Sequence, residues 1–411
     1  MRIRRQIAFA ALLLAAVAAH AQTATWVGTW GASPLPPSPG GGPFPPTPSF
    51  NDQTVRQIVR LSVGGERVRL RLSNEYGTKA ITIGAARVAL ADGAERLQAG
   101  TERAVTFDGK PSAVIAAGSP LLSDPIDLTV KDLATLSVSL FLQGETGPCT
   151  CHGTGMQDAY ISAKGDFTKG TFAPAQTTQM RAFLSGIEVL APKAQAIVVF
   201  GDSISDGVGS TAGANRRWPD LLAERLSARG GGTRFGIVNH GISGNQVLSD
   251  GAGVSALARF DRDVLSVPGV SHVIVFEGVN DLGLGYGKLE GPLASIMPKP
   301  AITPTRDAMV AGYRQLIARA HAKGLKIYGA TIAPYEGAAY YTADGDAVRQ
   351  AINTWIRASK EFDAVLDFDA AFRDPAHATR MKEEYQAGDH LHGSDAGYKV
   401  VAASVDLKLF Q

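Results

Sequence analysis

Only two of the 411 residues are cysteine, Cys149 and Cys151, with Thr150 between them. A disulfide stabilises less as its loop shortens, so this pair cannot staple a fold. A zinc site needs more ligands at suitable spacings. The pair is read as either a local loop clip or two free thiols, and the chemistry must lie elsewhere. An excess of one charge sign is also lacking: 40 Lys and Arg stand against 38 Asp and Glu. No long basic run of the kind nucleic-acid binding needs is present. Long apolar runs are scarce. The one exception, residues 7–19, follows Arg2, Arg4 and Arg5 and leads into Ala19-His20-Ala21. Those are the charged region, apolar region and small-x-small cleavage site of a secretory signal peptide. The run is shorter than the ~20 residues a membrane span requires. We therefore expect residues 1–21 to be a signal peptide, the protein to be secreted or periplasmic, and no stable membrane insertion after cleavage. An uncleaved anchor is the alternative. Cleavage removes three arginines and takes the net charge from +2 to −1.

Hydrophobic residues make up 45% of the chain. That suffices for large cores without disulfides or metals, and the length allows two ordinary domains. A short strand is expected at 26–30. Residues 34–43 hold too much Pro and Gly for helix or central strand and read as an exposed irregular loop. From 53 to about 190 the pattern has period two. Val68, Leu70 and Leu72 alternate with Arg67, Arg69 and Arg71, one face inward and one outward. Similar short runs at 80–83, 87–90, 104–107, 113–115, 136–142 and 183–189 are separated by turn residues. Many short strands at regular spacing predict an antiparallel β-sandwich-like domain over residues 22–192.

After Pro192 the pattern changes. Residues 196–200 form a continuous apolar run, as in a strand buried on both faces. Helices are expected at 218–229, 307–323 and 346–362, and further buried strands at 235–238, 272–276, 325–331 and 364–367. Strands alternating with helices predict an α/β domain with a mostly parallel sheet over residues 193–411.

Gly201-Asp202-Ser203 follows directly after the first buried strand, where open α/β sheets bind their ligands. Read alone, the tripeptide is equally a turn with a helix cap. Near the C-terminus stands Gly388-Asp389-His390-Leu391-His392-Gly393. His392 is the candidate base for the Ser203 hydroxyl, and Asp389 the group that holds its imidazole in the useful tautomer. A solvated surface loop is the plain alternative. His390 is a competing base, and a two-histidine zinc site fits poorly because the pair lacks the i, i+4 helical spacing. Two further segments can supply an oxyanion hole: 239–245, whose glycines allow close backbone approach, and 277–281, where Asn280 offers a side-chain N–H.

All four segments in this order resemble the SGNH (GDSL) hydrolase family. The resemblance covers residues 196–411 and places the family's hallmarks on Ser203, Gly244, Asn280 and His392, with its Asp-x-x-His motif on Asp389 and His392. Gly244 is chosen over Gly241 because it fits the family's Ser-Gly pattern. The resemblance implies a three-layer α/β/α fold with a small parallel sheet, a shallow open site, and no metal or organic cofactor. The whole chain also resembles a bacterial subgroup with a Trp-Val-Gly-Thr-Trp opening and a β-domain before the hydrolase. Here that opening is residues 26–30, and the segments 216–219 and 256–261 also fit.

The expectation is therefore a serine esterase working through an acyl-enzyme on Ser203. Ser203, Gly244 and Asn280 would form the oxyanion hole, and short-chain acyl esters, O-acetyl groups on carbohydrates among them, would be the substrates. A lipase or lysophospholipase is the runner-up, and a non-catalytic glycan-binding protein a further alternative. Trp218, Tyr335, Tyr340 and Tyr341 either line a sugar platform or serve as packing residues. Glu277, Asp281 and Glu336 are assigned no role.

Overall fold

The computed structural model describes residues 25–40, 45–92, 96–170, 172–291, 294 and 297–411. The expected signal peptide lies outside the described residues.

The N-terminal half is built from antiparallel β-structure. A four-stranded sheet runs in the order Trp26–Gly31, Leu184–Leu190, Val68–Asn74, Ser119–Leu122. A larger, eight-stranded sheet is centred on Ser49–Arg60, Thr135–Pro148 and Ile81–Asp92. The apolar faces of both contribute to one continuous core. Val68, Leu70 and Leu72 are fully buried, as the alternation predicts. The opposite face is paired rather than merely solvated: Arg67 meets Asp127, Arg69 meets Glu188 and Arg71 meets Glu75. Ser49–Arg60, one of the long strands, was not legible in the hydrophobic pattern. Its alternation is broken by Thr54, Arg56 and Gln57, which are buried polar residues; Arg56 Nε donates to the Ser139 hydroxyl and Gln57 Nε2 to the Ala182 carbonyl.

The C-terminal half holds a five-stranded parallel sheet in the order Arg234–Gly241, Ala194–Gly201, Val270–Phe276, Lys326–Ala330, Ala364–Leu366. Residues 196–200 are wholly buried, which explains their unbroken apolar run. The helix Trp218–Arg229 has the expected bounds and starts with Pro219 in its first turn. Two others are shifted by capping. Thr305 caps Arg306–Ala322, accepting from the Ala308 N–H, and Thr342 caps Ala343–Ala358. The latter stops before the expected residue 362 because Lys360 adopts φ +58°. Among the described residues, no helix is long and apolar enough to cross a membrane.

The two halves meet along a sheet edge. Arg234–Gly241 is an outer strand of the parallel sheet, and Trp26–Gly31 lies directly against it. Contact is so close that a Cβ on Gly236 would sit 2.1 Å from the Gly28 carbonyl oxygen. The Ser62 hydroxyl accepts from the Ile237 N–H at 2.7 Å and donates to the Thr29 carbonyl at 2.6 Å. An edge that would otherwise offer open backbone groups is thus covered.

Candidate active site

In this strand order the chain turns to opposite sides of Ala194–Gly201, so a crevice opens beyond the carboxyl end of that strand. Ser203 follows it, Gly244 follows the neighbour on one side, and Asn280 follows the neighbour on the other. Three residues spread over nearly eighty positions are thereby brought to one end of the sheet.

Ser203 opens a four-residue helix, Ser203–Asp206, capped by the Asp202 carboxylate, which accepts from the Ile204 N–H at 2.9 Å. Its Oγ lies 2.8 Å from His392 Nε2, and His392 Nδ1 lies 2.6 Å from Asp389 Oδ2. The ionised carboxylate only accepts, so Nδ1 carries the ring proton. Nε2 is then the acceptor for the serine hydroxyl. Asp389 Oδ1 also accepts from the backbone N–H groups of Leu391 and His392, at 3.0 and 2.9 Å. Burial opposes ionisation of Asp389, but its bond to His392 and these two N–H donors hold the carboxyl well below the usual range. His390, the competing base, points elsewhere: its ring packs on Gly337.

Gly244 has φ +81°, and a Cβ there would come within 2.8 Å of Ala252 Cβ. Both features favour glycine. The Asn280 side chain is pinned at both ends. Its Nδ2 donates to the Asn245 carbonyl at 3.0 Å and its Oδ1 accepts from the Tyr340 hydroxyl at 3.1 Å. An amide nitrogen carries two hydrogens, so one remains for a ligand.

Of the two readings of the aromatic residues, packing holds for three of the four. Trp218, Tyr335 and Tyr340 are buried. Trp218 packs edge-on against Phe276 and Phe368, and Tyr335 against Tyr340 and Tyr341. Their ring faces stabilise the hydrolase core, and only Tyr341 is half-buried.

Beneath the site lies a set of buried carboxyls that sequence reading had left without a role. Asp281 accepts from the backbone N–H groups of Val247 and Leu248 at 2.8 and 3.0 Å, holding the segment after Gly244 in place. Glu277 meets Arg259 at 3.4 Å. Burial pushes Asp202 and Asp281 up to about 7, and Glu277 rises well above the ordinary value for the same reason, reinforced by Asp202. Arg259 is itself wholly buried and reaches Asn245 Oδ1, the His240 and Gly201 carbonyls and Asp263. It ties together the three strand ends that carry Ser203, Gly244 and Asn280. Sequence reading quoted its segment, 256–261, without singling it out. Glu336 is spent on Arg380 and Thr379 at the rim.

Cys149 and Cys151 form a disulfide, which decides between the two readings of that pair. Among the described residues, no group of three or more His, Cys, Asp or Glu is arranged to hold a metal ion.

Residues 199–400 match the GDSL-like lipase/acylhydrolase family, and this part of the chain belongs to it. The protein is thus a carboxylic ester hydrolase. No curated protein matches the chain. Among solved structures, an acetyl xylan esterase from Geobacillus stearothermophilus is 23% identical, over 51% of this chain and 92% of that one, with a TM-score of 0.37. An alpha/beta hydrolase from the metagenome of Lake Arreo, Spain, is 22% identical over 51% and 92%, with a TM-score of 0.39. A lipase/acylhydrolase from Enterococcus faecalis is 20% identical over the same shares, with a TM-score of 0.38.

Proposed function

We propose that Ser203, His392 and Asp389 form the catalytic triad of an esterase that acts through an acyl-enzyme. The observation that carries this reading is the unbroken contact chain from Ser203 Oγ to His392 Nε2 and from His392 Nδ1 to Asp389 Oδ2, at 2.8 and 2.6 Å. His392 takes the hydroxyl proton as Ser203 Oγ attacks the ester carbonyl. The oxyanion is held by the backbone N–H groups of Ser203 and Gly244 and by Asn280 Nδ2. Collapse of the tetrahedral intermediate expels the alcohol, which receives the proton from His392. Water then attacks the acyl-enzyme by the same route and releases the acid.

The preferred substrates are short acyl esters, O-acetyl groups on carbohydrates in particular. The open rim supports this reading: the Asp389 side chain is 49% exposed beside the histidine, which leaves room for a bulky alcohol. Two crevices along the seam between the halves, one lined by Trp30 and Asn239 and the other by Trp30 and Arg71, lie apart from Ser203, His392 and Asn280. Export is supported by the signal-like first 21 residues and by the disulfide, a bond that persists in oxidising compartments. The domains would then be 22–192 and 193–411. The test is hydrolysis of p-nitrophenyl acetate against a long-chain p-nitrophenyl ester, by the mature chain and by Ser203→Ala. Loss of activity confined to the variant, with acetyl preferred, is expected. Activity in a folded Ser203→Ala protein would remove the triad, and long-chain preference would favour a lipase.

A further inference from the structure

One segment of the N-terminal half runs close to the reaction centre. Cys151–His152 is a two-residue strand paired with Arg181–Ala182 in the β-rich half. The residues that follow it run across the edge of the hydrolase site. The Met156 carbonyl accepts from the Gly213 N–H at 2.8 Å, Gln157 Nε2 donates to Asn215 Oδ1 at 2.5 Å, and the Thr154 hydroxyl lies 3.2 Å from that of Ser243. At the head of this strap His152 is buried. Its Nδ1 is 3.0 Å from the Ser33 carbonyl. Its Nε2 is 2.9 Å from Asp206 Oδ1 and 3.3 Å from the Thr154 carbonyl.

Both ring nitrogens therefore face oxygens. The carbonyl on one side and the carboxylate on the other can only accept, and a neutral imidazole has a single N–H to give. The doubly protonated ring satisfies both. Burial works against that charge, but the Asp206 carboxylate and the hydrogen bonds outweigh it and raise the His152 pKa.

Asp206 closes the helix that Ser203 opens. Its Oδ1 is taken by His152, and its Oδ2 accepts both the backbone N–H and the hydroxyl of Ser243, at 3.2 and 2.9 Å. Ser243 immediately precedes Gly244, so holding its N–H and side chain holds the peptide whose N–H belongs to Gly244. We infer that His152, contributed by the N-terminal β-rich half, is a positioning residue for ester hydrolysis: as an imidazolium it neutralises and orients Asp206, which in turn fixes the Ser243–Gly244 peptide of the oxyanion hole. The inference rests on the proposed triad and oxyanion hole. It gives the β-rich half a part in the reaction beyond folding. Without the imidazolium, the buried Asp206 carboxylate would lose the partner on its Oδ1, and its grip on Ser243 would relax. The penalty falls on the transition state, where the oxyanion exists, and spares the bound ester.

The experiment is steady-state hydrolysis of p-nitrophenyl acetate by His152→Gln, Asp206→Asn, the double variant, Ser243→Ala and Ser203→Ala, each with its active sites titrated by burst. We expect His152→Gln to lower kcat per active site roughly ten- to a hundred-fold, the worth of a charged hydrogen bond, with KM nearly unchanged. Adding Asp206→Asn to His152→Gln should cost little more, because the carboxylate that needed compensation is gone. A purely structural role would lower thermal stability and the yield of active sites but leave kcat per site alone. Wild-type kcat in folded His152→Gln protein, or losses that simply multiply in the double variant, would overturn the inference. Should His152→Gln fail to fold, Ser243→Ala carries the test: unchanged kcat there overturns it equally. Normal hydrolysis by Ser203→Ala would instead overturn the triad, which separates the two failures.

Discussion

Asn280 illustrates how much one side chain depends on its neighbours. Its type and its place after a buried strand were legible in the sequence, because a loop amide beyond a strand end can donate to a ligand. Its orientation was not. The Tyr340 hydroxyl and the Asn245 carbonyl set it, and Tyr340 is sixty residues away. Burial keeps the Tyr340 hydroxyl protonated, pushing it well above its ordinary value, so it remains a donor to Asn280 Oδ1. Asn280→Ala should lower kcat for p-nitrophenyl acetate by about 10²–10³-fold, as loss of one oxyanion donor does, with circular dichroism unchanged. Tyr340→Phe should give a smaller loss, about three- to tenfold, since it removes one neutral hydrogen bond that orients the amide. Losses that multiply in the double variant would show that Tyr340 does not work through Asn280. Asp389→Asn should be nearly as harmful as loss of the nucleophile. The amide can donate to Nδ1 and so select the wrong tautomer, an effect that costs ~10⁴ in a serine protease triad.

Among the elements, those written in one periodicity were readable and those with mixed chemistry were not. The strand Ala194–Gly201 and the helix Trp218–Arg229 follow from their apolar patterns. Ser49–Arg60 was hidden because buried Arg56 and Gln57 imitate an outward face. The strand Val270–Phe276 was expected in spite of the one polar side chain it buries. His272 sits among Phe235, Tyr328 and Phe410, with ring centroids 5.5–5.6 Å away. Burial, assisted by Lys326, pushes its pKa down to about 4. The unfolded chain binds a proton near pH 6.5, the folded chain only near pH 4. The neutral ring therefore contributes its full stability above pH 6.5 and loses it as the pH falls toward 4. His272→Phe removes this titration within a cluster already aromatic. Measured by thermal melts, the stability of the wild type relative to His272→Phe should decline steadily from pH 7 to pH 4. A difference that stays constant over that range would contradict the buried neutral histidine.

At the scale of the molecule, the seam between the halves matters most. The outer strand Arg234–Gly241 depends on Ser62 and Trp26–Gly31 for its cover, and the His152 strap crosses from one half to the other. Removing residues 25–190 exposes a flat strand edge and the apolar residues beside it, an aggregation hazard. The truncated hydrolase should elute from size exclusion as aggregate rather than monomer. A soluble, active fragment would show that the seam is dispensable for folding. A gentler probe is Ser62→Ala, which leaves the Ile237 N–H unpaired and should cost about 1–3 kcal/mol in chemical denaturation.

The sequence by itself determined the class of each half, since period-two alternation and continuous apolar runs state directly which faces are buried. It also carried the resemblance to the hydrolase family, and with it the candidate residues Ser203, Gly244, Asn280, Asp389 and His392, because four short segments stand in the family's order; Gly244 was separated from Gly241 by that resemblance alone. Only the tertiary structure decided that Trp218, Tyr335 and Tyr340 are packing residues and that the two cysteines are bonded. It alone placed Arg259, Asp206 and His152 behind the site. Those three act through contacts between segments far apart in the chain, and a buried charge is recognisable only by the partner that neutralises it, which no local pattern records.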